Sequence, residues 1–144
     1  MSKEFKIEKD FVFEGFRCVI IGQRMGHRCG YIEIPQGHKY YGSHYEDLNY
    51  DDVEVHGGWT YSSSTTENNY PVKTNKDSWW VGFDCAHYMD AKDLDLIKSF
   101  GDDKLTKMYV EMEEIFPIRS GEIRTIEYVE NELINAVKQL KMAV

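Results

Sequence analysis

At 144 residues and 42% hydrophobic, the chain predicts a single domain, β-rich over 4–90 and helical over 91–144, that buries roughly two-thirds of its unfolded surface. A net charge of -8 argues against binding nucleic acid directly or resting on an anionic membrane, because both need a basic surface that displaces counterions. Three cysteines without CxxC spacing, no run of about 20 apolar residues and an opening stretch without an apolar segment predict a reduced, cytoplasmic protein, neither exported nor embedded.

In chain order, 11–15 and 16–21 read as two adjoining β segments, a hairpin punctuated by Gly15. Tyr31–Ile34 is a further short strand ended by Pro35, which cannot donate to a continuing ladder. From Gln36 to Tyr50 no period is sustained, which predicts a long loop with one helical turn. Asp52–His56 alternates as a half-buried strand, Gly57 and Gly58 allow a bend, and Ser62–Ser78 reads as a mobile polar connection. Trp79–Cys85, bulky and with a glycine at a point of close approach, is the strongest strand and is expected at the centre of the sheet.

Beyond Asp90 the period changes. Leu105, Met108, Tyr109, Met112 and Ile115 recur at helical steps, and Pro117 stops that helix. Ser120 then offers an N-cap, with Ile123, Ile126, Val129, Leu133, Val137 and Leu140 forming the apolar stripe of a helix of about five turns. The fold class expected is α+β, a mainly antiparallel sheet packed with a C-terminal amphipathic helix and one additional helix.

Two constellations bear on chemistry. No acidic residue occurs from Gly15 through Ile32, although Asp and Glu total 25, and this window holds Arg17, Arg24, His27 and Arg28. Forked guanidinium bonds there suit a phosphate or carboxylate; the plainer reading pairs these arginines with the chain's own carboxylates. The second constellation is His56, Trp59 and Tyr61 with Trp80, Asp84 and His87, aromatic walls with a few placed polar groups. The plainer reading puts the tryptophans in the core and gives Asp84 a backbone bond at a strand end.

His56, Asp84, Cys85, His87 and Asp90 also supply the donor types that zinc favours, although in an extended strand Asp84 and Cys85 point to opposite faces. A Cys85 nucleophile paired with His56 or His27 is conceivable, but a thiol in this setting most often packs.

Six blocks carry a resemblance: Arg28–Tyr31, Pro35 with His38, Tyr40–Gly42, His56–Ser62, Trp79–His87 with Asp90, and Arg124–Glu130. In these the chain resembles a family of small, uncharacterised proteins of bacteriophages and prophages with HGGxTYS and WWxGFDCAHxxD motifs. The resemblance implies a counter-defence setting in the host cytoplasm, by capture of a signalling nucleotide, inhibition of a nuclease or mimicry of DNA. The chain departs from the family pattern mainly over Lys92–Arg119, which looks like an inserted acidic helix.

The leading expectation is a non-enzymatic protein that sequesters a small anionic, nucleotide-like ligand, with no cofactor and no metal. Arg24, His27 and Arg28 would hold phosphates, Trp59, Tyr61 or Trp80 would stack on a ring, and His56, Asp84 and His87 would complete the cleft. Two rivals stand beside it: a metal-dependent hydrolase using His56, Asp84 and His87, and an acidic inhibitor of a host nuclease or defence protein acting through Lys92–Glu114. An apolar stripe on the last helix would favour a homo-oligomer.

Overall fold

A computed structural model describes residues 4–64, 70–72, 77–115 and 121–143. In chain order the elements are β1 (Phe5–Phe13), β2 (Phe16–Gln23), β3 (Arg28–Ile34), α1 (Tyr45–Tyr50), β4 (Tyr61–Ser64), β5 (Trp79–Asp84) and β6 (Asp90–Ala91). They continue with α2 (Leu94–Ser99), α3 (Asp103–Ile115), β7 (Glu122–Ile123) and α4 (Ile126–Met142). The fold is α+β: five antiparallel strands in the order β1-β2-β3-β5-β4, with α4 packed against the sheet and β6 pairing β7 in a separate short parallel ladder.

The β1–β2 hairpin closes through Glu14 and Gly15, both at positive φ (48° and 88°), the two-residue turn whose twist matches the strands it joins. A register shift between Ile7 and Lys9 leaves Glu8 as the bulged residue, and its carboxylate meets Arg28.

Strand alternation then divides the apolar residues between two faces. Cys18, Ile20, Ile32, Ile34, Val81 and Phe83 pack with Trp59 beneath Val129, Leu133, Val137 and Leu140 of α4. Val19, Ile21, Cys29, Tyr31, Val72 and Trp80 build a second cluster on the opposite face. Because both faces of β2 are covered, its sequence is a continuous apolar run rather than an alternation.

Several expectations are corrected. The centre of the sheet is β3; β5 is internal but sits beside edge strand β4, which the polar run from Ser62 to Ser64 helps to build. An edge strand has one face and one side to satisfy, so serines serve there without a hydrophobic signature. The rest of that polar connection lies largely outside the described residues.

Asp52–His56 is not a strand. Asp52 takes φ 59°, Val53 N–H donates to the Leu48 carbonyl, and the Gln139 side chain of α4 occupies both Glu54 N–H (2.6 Å) and Glu54 C=O (2.9 Å). A side-chain amide thus supplies the bonds a neighbouring strand would have made.

Ile123 belongs to β7, and α4 begins only at Ile126, with the Thr125 hydroxyl as N-cap accepting from Tyr128 N–H at 3.1 Å. The expected stop at Pro117 and cap at Ser120 lie outside the described residues. Helix α2, capped by Asp93, and the two-residue β6 and β7 are additions to the sequence reading. No helix among the described residues is long and apolar enough to cross a membrane.

Candidate metal centre at the end of strand β5

Past the end of β5 the chain turns through Asp84–Met89 into β6, and Asp90 comes to rest against the loop that carries His56. Asp84 starts this turn, its carboxylate accepting from Ala86 N–H (3.1 Å) and Thr60 Oγ1 (3.2 Å). The 51–60 loop is held from three sides. Asn49 brackets Trp59, donating to its carbonyl and accepting from its N–H, each at 2.8 Å. The Trp59 indole donates to the Val53 carbonyl at 2.9 Å, and Gln139 grips Glu54. Trp59 is therefore an anchor that aims His56.

Asp90 is the hub. Its side chain is 1% exposed, and its Oδ2 lies 2.9 Å from His56 Nε2, 3.0 Å from the His87 N–H and 3.3 Å from His87 Nδ1. Its Oδ1 accepts from Arg124 Nε at 2.8 Å. Burial by itself would raise this carboxyl, but the bonds from Arg124 and His56 and the His87 N–H outweigh it and hold the group down at about 2. The other ring nitrogen of His56, Nδ1, lies 2.8 Å from the Tyr128 hydroxyl. Arg124 stacks over the Tyr128 ring at 4.7 Å, so α4 and the segment entering it close the back of the cluster.

Gly57 makes the approach of the two histidines possible. A Cβ built there would fall 2.2 Å from His87 Cε1, and φ at Gly57 is 70°. Only glycine fits there. The rings of His56 and His87 meet edge to face with centroids 5.6 Å apart.

The donor atoms of His56, His87 and Asp90 all lie within 4.8 Å of one another. Two imidazoles and a carboxylate form a donor set for zinc or a neighbouring divalent transition metal, and three protein ligands leave a coordination position open. The supporting groups match what such centres use, with the second carboxylate oxygen clamped by Arg124 and the distal ring nitrogen of His56 bonded to Tyr128. His87 is 37% exposed, and His56 lines an open hollow of about 510 Å³ between the 52–58 loop and Glu132, Asn135 and Gln139 of α4.

Comparisons of the chain with protein-family models, with curated proteins and with solved structures return no match.

The residues expected to share one cleft are dispersed. His56, Asp84 and His87 do come together, but Asp84 stands 3.9 Å from His87 Nδ1 and is occupied in its turn; Asp90 takes the place in the cluster that the hydrolase reading gave to Asp84.

Trp59 and Trp80 are 1% and 0% exposed and belong to clusters on opposite faces of the sheet, so neither offers a ring for stacking. Tyr61 packs on the face of Trp80, edge to face with Tyr31 and Tyr70. Trp59 precedes β4, so the loop and not strand alternation sets its side: its indole enters the cluster under α4, whereas Tyr61 and Trp80 share the opposite face.

The arginines follow the plainer reading. Arg24 pairs with Asp102, and Arg17 with Asp10. Arg28 is 6% exposed and bonds Glu8, Asp93 and the Arg124 carbonyl, a buried node behind the cluster rather than a phosphate clamp. His27 is half-buried; burial, and then Lys92, depresses its pKa. Cys85 lies in the core and burial raises its thiol pKa, the setting of a packed cysteine rather than an activated one.

Arg124 and Tyr128 escaped the sequence reading as site residues. The available signal was their place in the block Arg124–Glu130, far in sequence from His56 and Asp90.

Proposed function

We propose that the protein is a metal-dependent hydrolase whose divalent ion is held by His56, His87 and Asp90. The observation that carries this reading is that three donors from two separate stretches of chain converge on one point, two of them with their distal atoms already bonded. Asp90 is anchored by Arg124 and His56 by Tyr128. Bound there, the ion would use its open position to hold a water and lower that water's pKa toward neutrality, producing a nucleophile for an ester, amide or phosphoester bond. The polar hollow beside His56 is where a small polar substrate fits.

The test is elemental analysis of the purified chain, calorimetric titration with zinc, cobalt and manganese, and then assay of the loaded protein against small esters, amides and phosphoesters. Near-stoichiometric binding that His87→Ala removes, together with turnover of one substrate class, is the expected result. Absence of micromolar affinity for any of the three metals would overturn the reading.

A second reading keeps the cluster without turnover: capture of a small anionic, nucleotide-like ligand in the counter-defence setting that the motif resemblance implies. It rests on the partly exposed His87 imidazole at the mouth of the cluster, since the Arg124 guanidinium is already taken by Asp90 and Glu122. Calorimetry with cyclic and linear nucleotides, paired with product analysis, separates capture from hydrolysis. The acidic-inhibitor reading has less support, because Lys104 and Lys107 interrupt the carboxylates of α3.

A further inference from the structure

The cluster places two different demands on His56, and one neighbouring group can meet both. A carboxylate only accepts hydrogen bonds, so a singly protonated His56 ring facing Asp90 Oδ2 at 2.9 Å carries its hydrogen on Nε2. Nδ1 then holds a lone pair, and the group 2.8 Å away, the Tyr128 hydroxyl, donates to it. A metal ion needs the lone pair of Nε2. When it binds, the ring loses the hydrogen on Nε2 to solvent and gains one on Nδ1, with no net change in the proton count of the neutral ring. Nδ1–H must then donate, and whatever faces it must accept.

We propose that Tyr128 is the positioning residue that lets His56 exchange these two tautomers without losing a hydrogen bond, and so commits Nε2 to the metal. A hydroxyl suits this task because it donates and accepts, and rotation about the C–O bond switches between the two roles. A carboxylate at this point would only accept, and an ammonium would only donate.

The phenol is also held in place. Its ring meets the His56 imidazole edge to face at 5.4 Å and carries the Arg124 guanidinium over its face, while its backbone N–H binds the Thr125 cap in the first turn of α4. The hydroxyl thus stays on Nδ1 while its hydrogen reorients.

This inference rests on the metal reading, and its test separates the two. Zinc affinity is measured by competition with a chelator for the full wild-type chain, Tyr128→Phe and His87→Ala. The protonated ring nitrogen of His56 is read from long-range ¹H–¹⁵N spectra with and without zinc. The expected result is His56 protonated on Nε2 without zinc and on Nδ1 with it, with Tyr128→Phe binding zinc about 10- to 100-fold more weakly while the chain stays folded.

Wild-type affinity retained by Tyr128→Phe, or zinc found on Nδ1, would overturn the role of Tyr128 while leaving the metal centre standing. No zinc binding by wild type would remove both.

Discussion

Arg124 Nε donates to Asp90 Oδ1 at 2.8 Å, across 34 residues, and this bond joins the turn after β5 to the start of α4. Around it the carboxylate also receives His56 and the His87 N–H, so Asp90 stays ionised in the folded protein at pH values where the unfolded chain takes up a proton.

The consequence is a defined loss of stability in acid. Asp90 titrates at about 2 when folded against an ordinary 3.8, so its contribution is fully present above about pH 4 and is lost as pH falls toward 2. The shift is worth about 2 kcal/mol. Urea unfolding of wild type and Asp90→Asn between pH 5 and pH 2 is expected to show a shallower acid decline in the variant. Parallel declines would refute the assignment.

Gly57→Ala tests the contact between the two histidine loops. The added methyl meets His87 at 2.2 Å on a backbone at positive φ, so either His87 or the loop must move. Zinc affinity is expected to fall about as far as in His87→Ala, with about 1–2 kcal/mol of lost stability from the strained backbone. Unchanged zinc affinity would show that the close approach of the rings is not needed.

Leu133 lies at the middle of the α4 stripe with no exposed surface, packed against Gly30 of β3. Leu133→Ala should cost about 2–5 kcal/mol of unfolding free energy, the range for a buried leucine whose site collapses only in part. A cost below about 1 kcal/mol would mean that α4 is not seated as described.

All three thiols are buried. Burial raises Cys18 to about 12 and Cys29 to about 11, and pushes Cys85 up as well. Iodoacetamide at pH 8 is therefore expected to leave the native chain unlabelled and to modify three sites after denaturation, counted by intact mass. Rapid labelling of Cys85 in the native protein would reopen its candidacy as a nucleophile.

Gln139→Ala strips both bonds from the Glu54 backbone. The exposed setting limits the cost to about 1 kcal/mol, but hydrogen exchange in residues 52–58 should rise, since the loop keeps its Asn49, Trp59 and His56 bonds but loses its hold at Glu54. Unaltered exchange there would show that the amide does not hold the loop.

The class of architecture and its strongest elements were legible in the amino-acid order. The apolar run of β2, the bulky run of β5 and the helical stripe from Ile126 to Leu140 each carry a period that backbone geometry dictates locally. Pairing partners left weaker marks. β4 is written in serines, β7 looks like the start of a helix, and Val53 and Val55 alternate like a strand although a glutamine side chain occupies the backbone between them.

Tertiary structure alone decided which polar residues meet. His56 and His87 were recognisable as candidates, but their carboxylate partner is Asp90 rather than Asp84, and the arginine that matters to them is Arg124 rather than Arg24 or Arg28. The physical reason is that side-chain chemistry is local, whereas convergence depends on turns that decide which loop ends reach one another. A glycine at 57 and the short β6–β7 pairing bring together residues 34 to 72 positions apart, and periodicity holds no information at that range.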